Sequence, residues 1–190
     1  MIDEKDRIII AKLQKNGRIP IAEISKEIGL SSMGAKKRID RIISERIAKV
    51  KALVNVEKLD IKLAMIAMEL ETGYALRELI KKFENCPRVI RFFVTVGAYN
   101  LFALVWAEDY HTLESISLES CSLRAQKGVR RFEFYPIIEV HYEPFLDLKV
   151  VAKKKFEKPP CGVDCKTCIR YNKKKKCLGC PATPFYRGKL

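Results

Sequence analysis

The chain has 190 residues, a mass of 21.9 kDa and a formal net charge of +14. Hydrophobic residues make up 48% and charged residues 32%, a balance typical of a folded globular protein and not of a disordered polymer. The longest uncharged stretch, Phe92 to Ala107, has 16 residues, short of the ~20 that a membrane-spanning helix needs. The first residues also lack the pattern of a secretion signal, so we expect a cytoplasmic protein.

The positive charge is distributed unevenly along the chain. Residues 1–57 carry a net charge of +5, residues 58–148 a net charge of −2, and residues 149–190 a net charge of +11. Positive potential of this size favours a polyanion such as nucleic acid, although a lysine-rich solvated surface would give the same totals. Charge and composition together predict five segments: a first domain at 1–50, a linker strand at 51–61, a second domain at 62–145, a basic linker at 146–160 and a cysteine-rich module at 161–190.

Residues 1–50 have the periodicity of three short amphipathic helices. Asp3 can cap the first helix, Pro20 suits the first turn of the second, and Ser31 or Ser32 can cap the third. Gly29 separates the second helix from a basic third helix, as in a winged-helix-like helix-turn-helix. This arrangement favours DNA binding through the third helix, and a plain three-helix bundle is the alternative. The predicted DNA contacts are Ser31, Ser32, Lys36, Lys37, Arg38 and Arg41.

This segment resembles the helix-turn-helix of the Lrp/AsnC (feast/famine) transcription regulators. The matching elements are the acidic pair Asp3 and Asp6, the turn Asn16-Gly17-Arg18, the motif Gly29-Leu30-Ser31, and the basic pair Arg38 and Arg41. Arg46 departs from the family pattern, which usually has a glycine before the linker strand. The resemblance implies dimers or larger even-numbered assemblies that bind palindromic DNA through paired third helices.

Residues 62–142 read as strand, helix, strand, strand, helix, strand, the order of an α+β domain of the ferredoxin-like βαββαβ type. Leu63 to Leu70 is almost continuously apolar, as in a strand covered on both faces. Thr72 to Glu84 has helical periodicity, and Gly97 to Asn100 form a hairpin turn. The open face of the predicted sheet is apolar and aromatic. It predicts a partner, most simply a second copy of the chain, although the tail could cover it instead.

The second domain also resembles the effector-binding and oligomerisation domain of the same family. Val96 to Leu101 matches the family's Gly-x-Tyr-Asp-Leu-like hairpin, which lies beside a small-molecule site between dimers. The resemblance implies effector contacts at Gly97, Ala98, Tyr99 and Asn100. Asn100 stands where the family usually has aspartate, which weakens the expectation of an amino-acid effector because a carboxylate is replaced by a neutral amide. A tight turn without a ligand is the alternative.

The tail contains five cysteines with the spacing C-x3-C-x2-C-x8-C-x2-C: Cys161, Cys165, Cys168, Cys177 and Cys180. Two C-x-x-C pairs let four thiolates converge on one Zn²⁺ and staple a segment too short to build its own core. We expect structural zinc on these four cysteines, with Cys161 as the main alternative ligand. An iron–sulfur cluster is less favoured, and disulfides would leave one cysteine unpaired. Cys86 and Cys121 read as ordinary small residues of the core.

The sequence therefore predicts a DNA-binding transcription regulator of Lrp/AsnC type that responds to a small-molecule or metal effector. A metal-responsive regulator that senses through the tail is one alternative; some archaeal regulators have such a module, with a different cysteine spacing. The other is an enzyme, because siroheme decarboxylases resemble Lrp/AsnC chains in architecture. Against an enzyme, His111 and His141 lie far apart in sequence, and we find no nucleophile–base pair or phosphate-binding glycine loop.

Overall fold

The computed structural model describes residues 2–154 and 156–190. Its contacts divide the chain into two compact units, Met1–Ala52 and Leu53–Leu190. None of the helices in these described ranges has both the length and the apolar character needed to cross a membrane.

The first unit consists of three helices, α1 (Glu4–Lys15), α2 (Ile21–Glu27) and α3 (Ser32–Ser44). Capping explains where α1 and α3 begin: Asp3 accepts a hydrogen bond from the Asp6 N–H at 2.9 Å, and Ser31 accepts one from the Gly34 N–H at 3.1 Å. The helices enclose a small apolar core formed by Ile9, Ile24, Ile28, Ala35, Ile39 and Ile42. The predicted helix-turn-helix is confirmed.

After the end of α3, Arg46 stands where the family pattern usually has a glycine. Arg46 has φ 58°, a left-handed conformation that favours glycine. Its N–H donates to the Ile43 carbonyl at 3.1 Å, and the Ile47 N–H donates to the Ile42 carbonyl at 3.0 Å. These bonds satisfy carbonyls of the last helical turn, so the helix ends sharply at a conformational cost carried by Arg46.

In chain order, the second unit contains β1 (Val54–Asn55), β2 (Lys62–Leu70), α4 (Gly73–Phe83), β3 (Val89–Val94), β4 (Leu101–Ala107), α5 (Tyr110–Leu118), β5 (Val129–Ile137), β6 (Phe145–Leu146), a 3-10 turn (Cys165–Thr167) and α6 (Ile169–Asn172). Four strands form one antiparallel sheet in the order β3-β4-β2-β5. This is the predicted ferredoxin-like topology, with β2 next to the centre. The short strands β1 and β6 pair separately.

The two faces of the sheet are covered differently. On one face, residues of β2 such as Ile66 and Met68 pack with Leu79 of α4 and Leu113 of α5 in the main core. On the other face, Leu63 and Trp106 are covered by a smaller cluster that includes Val56, Ile61 and Leu148. Beyond that cluster, Phe93 and Tyr135 are 44% and 51% exposed. One part of the second face therefore presents large apolar side chains to solvent.

Replacing Arg46 with glycine should raise the free energy of unfolding by about 1 kcal/mol. Glycine removes the ~1–2 kcal/mol cost of the left-handed conformation, and the greater entropy of the unfolded glycine chain offsets part of that gain. Urea denaturation followed by circular dichroism measures the change. As a control, Glu45→Gly should lower stability, because Glu45 has the ordinary backbone angles φ −75° and ψ 2°. A destabilised Arg46→Gly variant would contradict this account of the helix end.

Candidate functional site

The start of α3 presents polar and basic groups to solvent. Ser31, Ser32, Lys36 and Lys37 are all exposed, as the sequence predicts for a surface that meets a phosphate backbone. Met33 lies among them and is 80% exposed, and sequence reasoning missed it. The sequence feature that points to Met33 is the presence of an apolar side chain on the polar face of an amphipathic helix. Together these residues form the candidate DNA-contact surface, in the part of the helix whose N–H groups can meet phosphates or base edges.

Arg38 and Arg41 face α1 and form ion pairs within the chain. Arg38 Nη1 lies 2.7 Å from Asp3 Oδ2 and 2.9 Å from Asp6 Oδ1, and Arg41 Nη2 lies 2.5 Å from Asp6 Oδ2. Asp6 is only 1% exposed, and the Asp3 N–H also donates to it at 3.2 Å. The acidic and basic pairs that were recognised separately in the sequence are thus one network joining α1 to α3. DNA contact by these two arginines stays a prediction.

The ion-pair network changes the acidity of its carboxyl groups. Burial alone would raise the pKa of Asp6, but hydrogen bonds from Arg41, the Asp3 backbone and Arg38 outweigh it and lower the pKa to about 2 from its ordinary 3.8. The pKa of Asp3 is also lowered, first by the Asp6 backbone N–H and then by Arg38. Both carboxylates are therefore charged at neutral pH and hold the arginines in place.

The predicted effector residues lie in the turn between β3 and β4, and Asn100 has a structural role there. Its Nδ2 donates to the Leu70 carbonyl at 2.8 Å, and the Leu70 N–H donates to its Oδ1 at 2.9 Å. The side-chain amide thus makes with Leu70 the two hydrogen bonds that the backbone of a neighbouring strand would make. An aspartate could accept from Leu70 but not donate to it, which gives the departure from the family pattern a physical reason.

The other three residues of this turn are arranged differently. The Tyr99 hydroxyl donates to Glu133 on β5, and this bond raises the pKa of Tyr99. Gly97 and Ala98 are exposed, and Gly97 has φ 151°, which few other residues adopt. The predicted residues do lie together, but their side-chain polar groups are engaged within the domain.

The tail is attached to the second unit by a buried guanidinium. Arg88 is 5% exposed; its Nη2 donates to the Gly179 carbonyl at 2.6 Å and its Nη1 to Glu108 at 3.0 Å. The guanidinium also lies over the ring of Trp106, 5.4 Å from its centroid, and the Tyr186 hydroxyl donates to Glu108. A buried ion pair that also donates to a tail carbonyl gives the docking of the tail a specific geometry.

Helix α5 supplies a second attachment. Arg170 of α6 donates through Nε to the Ser115 hydroxyl at 2.7 Å and pairs with Glu114. The Leu178 N–H donates to the Thr112 hydroxyl at 3.2 Å. Polar groups on a helix that covers the sheet are therefore used by the tail, so residues 161–190 pack as an added layer of the second unit.

Six cysteines line one cavity of about 60 Å³: Cys86, Cys121, Cys161, Cys165, Cys177 and Cys180. We call these six residues the thiol cluster. Cys168 lines a neighbouring cavity together with Cys121, Cys165 and Cys177. All seven cysteines of the chain are free thiols. Across residues 2–154 and 156–190, no three His, Cys, Asp or Glu side chains form a group that could hold a metal ion, so zinc on the C-x-x-C pairs stays a prediction.

Burial changes the chemistry of these thiols. It raises the pKa of Cys165 to about 11 and that of Cys180 to about 12, and it raises the pKa of Cys86, Cys121 and Cys177 as well. Such groups are protonated at neutral pH, and a bound metal would have to displace their protons.

Cys86 and Cys121 pack against the main core, as the sequence predicts, and they also line this cavity beside the tail cysteines. Each lies three residues beyond the end of a helix, Cys86 after α4 and Cys121 after α5. This shared position at the ends of the two helices that cover the sheet was the only signal in the sequence. It became informative once the tail was seen to pack there.

Comparisons with known proteins agree with this architecture. Residues 2–42 match the model of the AsnC-type helix-turn-helix domain. The chain is 32% identical over 120 residues to an HTH-type transcriptional regulator of Pyrococcus abyssi, an alignment that covers 62% of this chain and 75% of that protein. It is 30% identical over 117 residues to the HTH-type transcriptional regulator LrpA of Pyrococcus horikoshii, covering 61% of this chain and 83% of the regulator.

Solved structures share the fold. The structure of AsnC from E. coli superposes with a TM-score of 0.64 at 21% identity and covers 75% of this chain and 95% of its own. A transcriptional regulator from Neisseria meningitidis, solved as a complex with L-Met, superposes with a TM-score of 0.66 at 20% identity and covers 78% of this chain and 98% of its own.

Replacing Asp6 with asparagine should lower the free energy of unfolding by about 2–3 kcal/mol at neutral pH. The loss is near the lower end for breaking a buried ion pair because both arginines can turn to water once their partner is gone. The folded pKa of about 2 lies below the ordinary 3.8, so the stabilisation by Asp6 is complete above about pH 4 and is lost as the pH falls toward 2. Denaturation of both proteins across this pH range, followed by circular dichroism, measures the difference. It should shrink to near zero in acid.

Asp40→Asn is the matched control, since Asp40 is an exposed carboxylate on α3. Its effect should be small at every pH. A constant stability difference between the wild type and Asp6→Asn down to about pH 2 would contradict the role of the charged carboxylate.

Proposed function

The chain belongs to the Lrp/AsnC family of DNA-binding transcription regulators, and we propose that it contacts DNA through the exposed start of α3. The proposal rests on the different surroundings of the polar side chains at the start and in the middle of α3. Ser31, Ser32, Lys36 and Lys37 are exposed, while Arg38 and Arg41 bind the acidic pair of α1. The arginine network therefore orients α3, and the residues before it meet the DNA.

Each exposed group has a chemical role in this proposal. The backbone N–H groups at the start of α3 and the Ser32 hydroxyl bind a phosphate, because a helix N-terminus favours an anion. Lys36 and Lys37 add positive charge beside the same DNA strand and supply most of the salt-dependent affinity. Met33 reaches the groove, where its thioether makes apolar contact with a base edge such as the thymine methyl group.

We further propose that two copies of the chain pair through the second face of the sheet. Phe93 and Tyr135 lie on strands at opposite edges of that face, and both are substantially exposed. Burying them against a second copy removes apolar area from water and places two third helices in one assembly, as palindromic DNA requires. Larger even-numbered assemblies follow when such dimers associate.

An effector at the turn between β3 and β4 belongs to the same proposal. The similar Neisseria meningitidis regulator was solved with L-Met. In this chain, the Asn100 amide is already paired with Leu70, so a ligand would bind the exposed backbone of Gly97 and Ala98 and the Tyr99 ring. These groups can hold an uncharged or weakly polar molecule more readily than an amino group, which needs a carboxylate.

The tail is proposed to be a metal-binding module. Zn²⁺ is the ion that the two C-x-x-C pairs favour, and an iron–sulfur cluster is the second candidate, since thiolates are the ligands of both. If the tail senses its metal, operator affinity will differ between the metal-bound and stripped protein, whereas equal affinity indicates a structural module. A regulator is preferred to a siroheme-decarboxylase-like enzyme because the Pyrococcus relatives are named as transcriptional regulators.

Replacing both Lys36 and Lys37 with alanine should weaken binding to an operator found by genomic DNA-binding mapping. The slope of log affinity against log salt concentration should flatten by about 2, one for each phosphate that a lysine no longer neutralises. Fluorescence anisotropy over a salt series measures both quantities. Lys5→Ala/Lys15→Ala is the matched control: it removes the same charge from α1 and should leave most of the slope intact. Unchanged affinity in the Lys36/Lys37 variant would refute the proposed surface.

Replacing Phe93 and Tyr135 with aspartate should shift the protein from dimer or larger assembly toward the monomer mass of 21.9 kDa. Two charges cannot be buried in an apolar interface without a large desolvation cost. Sedimentation velocity at several concentrations measures the assembly. Tyr74→Asp, a similar change at an exposed position on α4, should leave the assembly intact. If the Phe93/Tyr135 variant keeps the wild-type mass, the copies meet elsewhere.

A further inference from the structure

The thiol cluster draws its members from three separate parts of the chain. Cys86 follows α4, Cys121 follows α5, and the other four come from the tail. All six line the same cavity, and its remaining walls are mainly apolar, from Ile66, Phe83 and Val89 among others. The soft donors stand in an apolar enclosure whose wall contains no histidine or carboxylate, so sulfur is the ligand atom that this cavity offers.

The number of thiols and the size of the cavity both exceed what one zinc ion needs. A structural zinc site takes four ligands at ~2.3 Å, whereas six cysteines surround this cavity. The cavity volume of about 60 Å³ is roughly four times the ~15 Å³ that a single water molecule requires on the same measure. Cys168, a member of one C-x-x-C pair in the sequence prediction, lines the neighbouring cavity instead.

The surroundings also suit a negatively charged sulfur-rich group. The Gly179 N–H points at Cys177 Sγ at 3.4 Å. The Arg88 guanidinium, buried against Gly179 and Glu108, is part of the cavity wall. Backbone donors to sulfur and a nearby cation stabilise iron–sulfur clusters and set their potentials.

We propose that this cavity binds a polynuclear iron–sulfur cluster whose ligands come from both the tail and the ferredoxin-like domain, with Cys86 or Cys121 among them. Among the described residues, no three of these side chains form a metal-holding group as they stand, so binding has to draw their sulfur atoms together around the cavity. The inference rests on the proposed metal-binding module and specifies its occupant and its ligands. The inference also predicts a structural effect of the cluster. A cluster bonded both to the tail and to a cysteine after α4 or α5 links the tail to the helices that cover the sheet, so loss of the cluster loosens the tail.

Metal analysis of the full chain, produced and purified without oxygen, tests the occupant. We expect iron and acid-labile sulfide in equal amounts, about two to four of each per chain, with a broad absorbance near 400 nm. One zinc per chain without sulfide would overturn the inference and leave the metal-binding module standing. A protein that contains neither metal, and takes up neither Zn²⁺ nor iron with sulfide, would remove both.

Two cysteine variants test the ligands in the same assay. Cys86→Ala/Cys121→Ala should lose most of its iron and sulfide, whereas Cys168→Ala should keep them. Zinc bound by the C-x-x-C pairs predicts the reverse, with metal lost from Cys168→Ala alone. Circular dichroism and DNA affinity confirm that each variant folds. If the double variant does not fold, the single variants Cys86→Ala and Cys121→Ala replace it. Wild-type cluster content in the folded double variant, or in both single variants when they replace it, overturns the shared ligand set.

Discussion

The second unit is organised around a strand that is apolar on both faces. Because β2 lies inside the sheet and is apolar on both faces from Leu63 to Met68, both faces of the sheet need to be covered. Helices α4 and α5 cover one face, and a short pair of strands with their neighbouring loops covers part of the other. The apolar surface that remains, around Phe93 and Tyr135, is where the proposed second copy of the chain would pack.

The helical unit depends in the same way on one buried carboxylate. Three short helices with a core of only six fully buried apolar residues gain little from burial alone. Asp6 adds a directional constraint, since its two oxygens receive bonds from Arg38, Arg41 and the Asp3 backbone. That constraint sets how α3 lies against α1, and therefore which residues of α3 face solvent.

Periodicity and capping residues were enough to predict the three helices of the first unit and the βαββαβ order of the second, but not β6 or the two short helical segments of the tail. They could not show that Arg38 and Arg41 would turn inward, because a basic residue on a helix has the same sequence signature whether its partner is a phosphate or an aspartate. For the same reason, the sequence does not show that the Asn100 amide pairs with Leu70. Cys86 and Cys121 are predicted correctly as core residues, but their position beside the tail cysteines is not, because contacts between residues distant in sequence leave no periodic signal.

The charge of the tail can be understood from these contacts. The Arg88 guanidinium lines the cavity and Glu108 does not, but the two form an ion pair with no net charge. A cluster of deprotonated cysteines is anionic, and burying it next to an apolar core is costly unless positive charge lies nearby. The segment 149–190 carries a net charge of +11; of its two arginines, Arg170 pairs with Glu114 of α5 and Arg187 binds the Tyr171 carbonyl within the tail. Most of the remaining positive charge of the segment is on lysines, which would offset the charge of the proposed centre, and only the excess over that charge would add to the attraction for DNA.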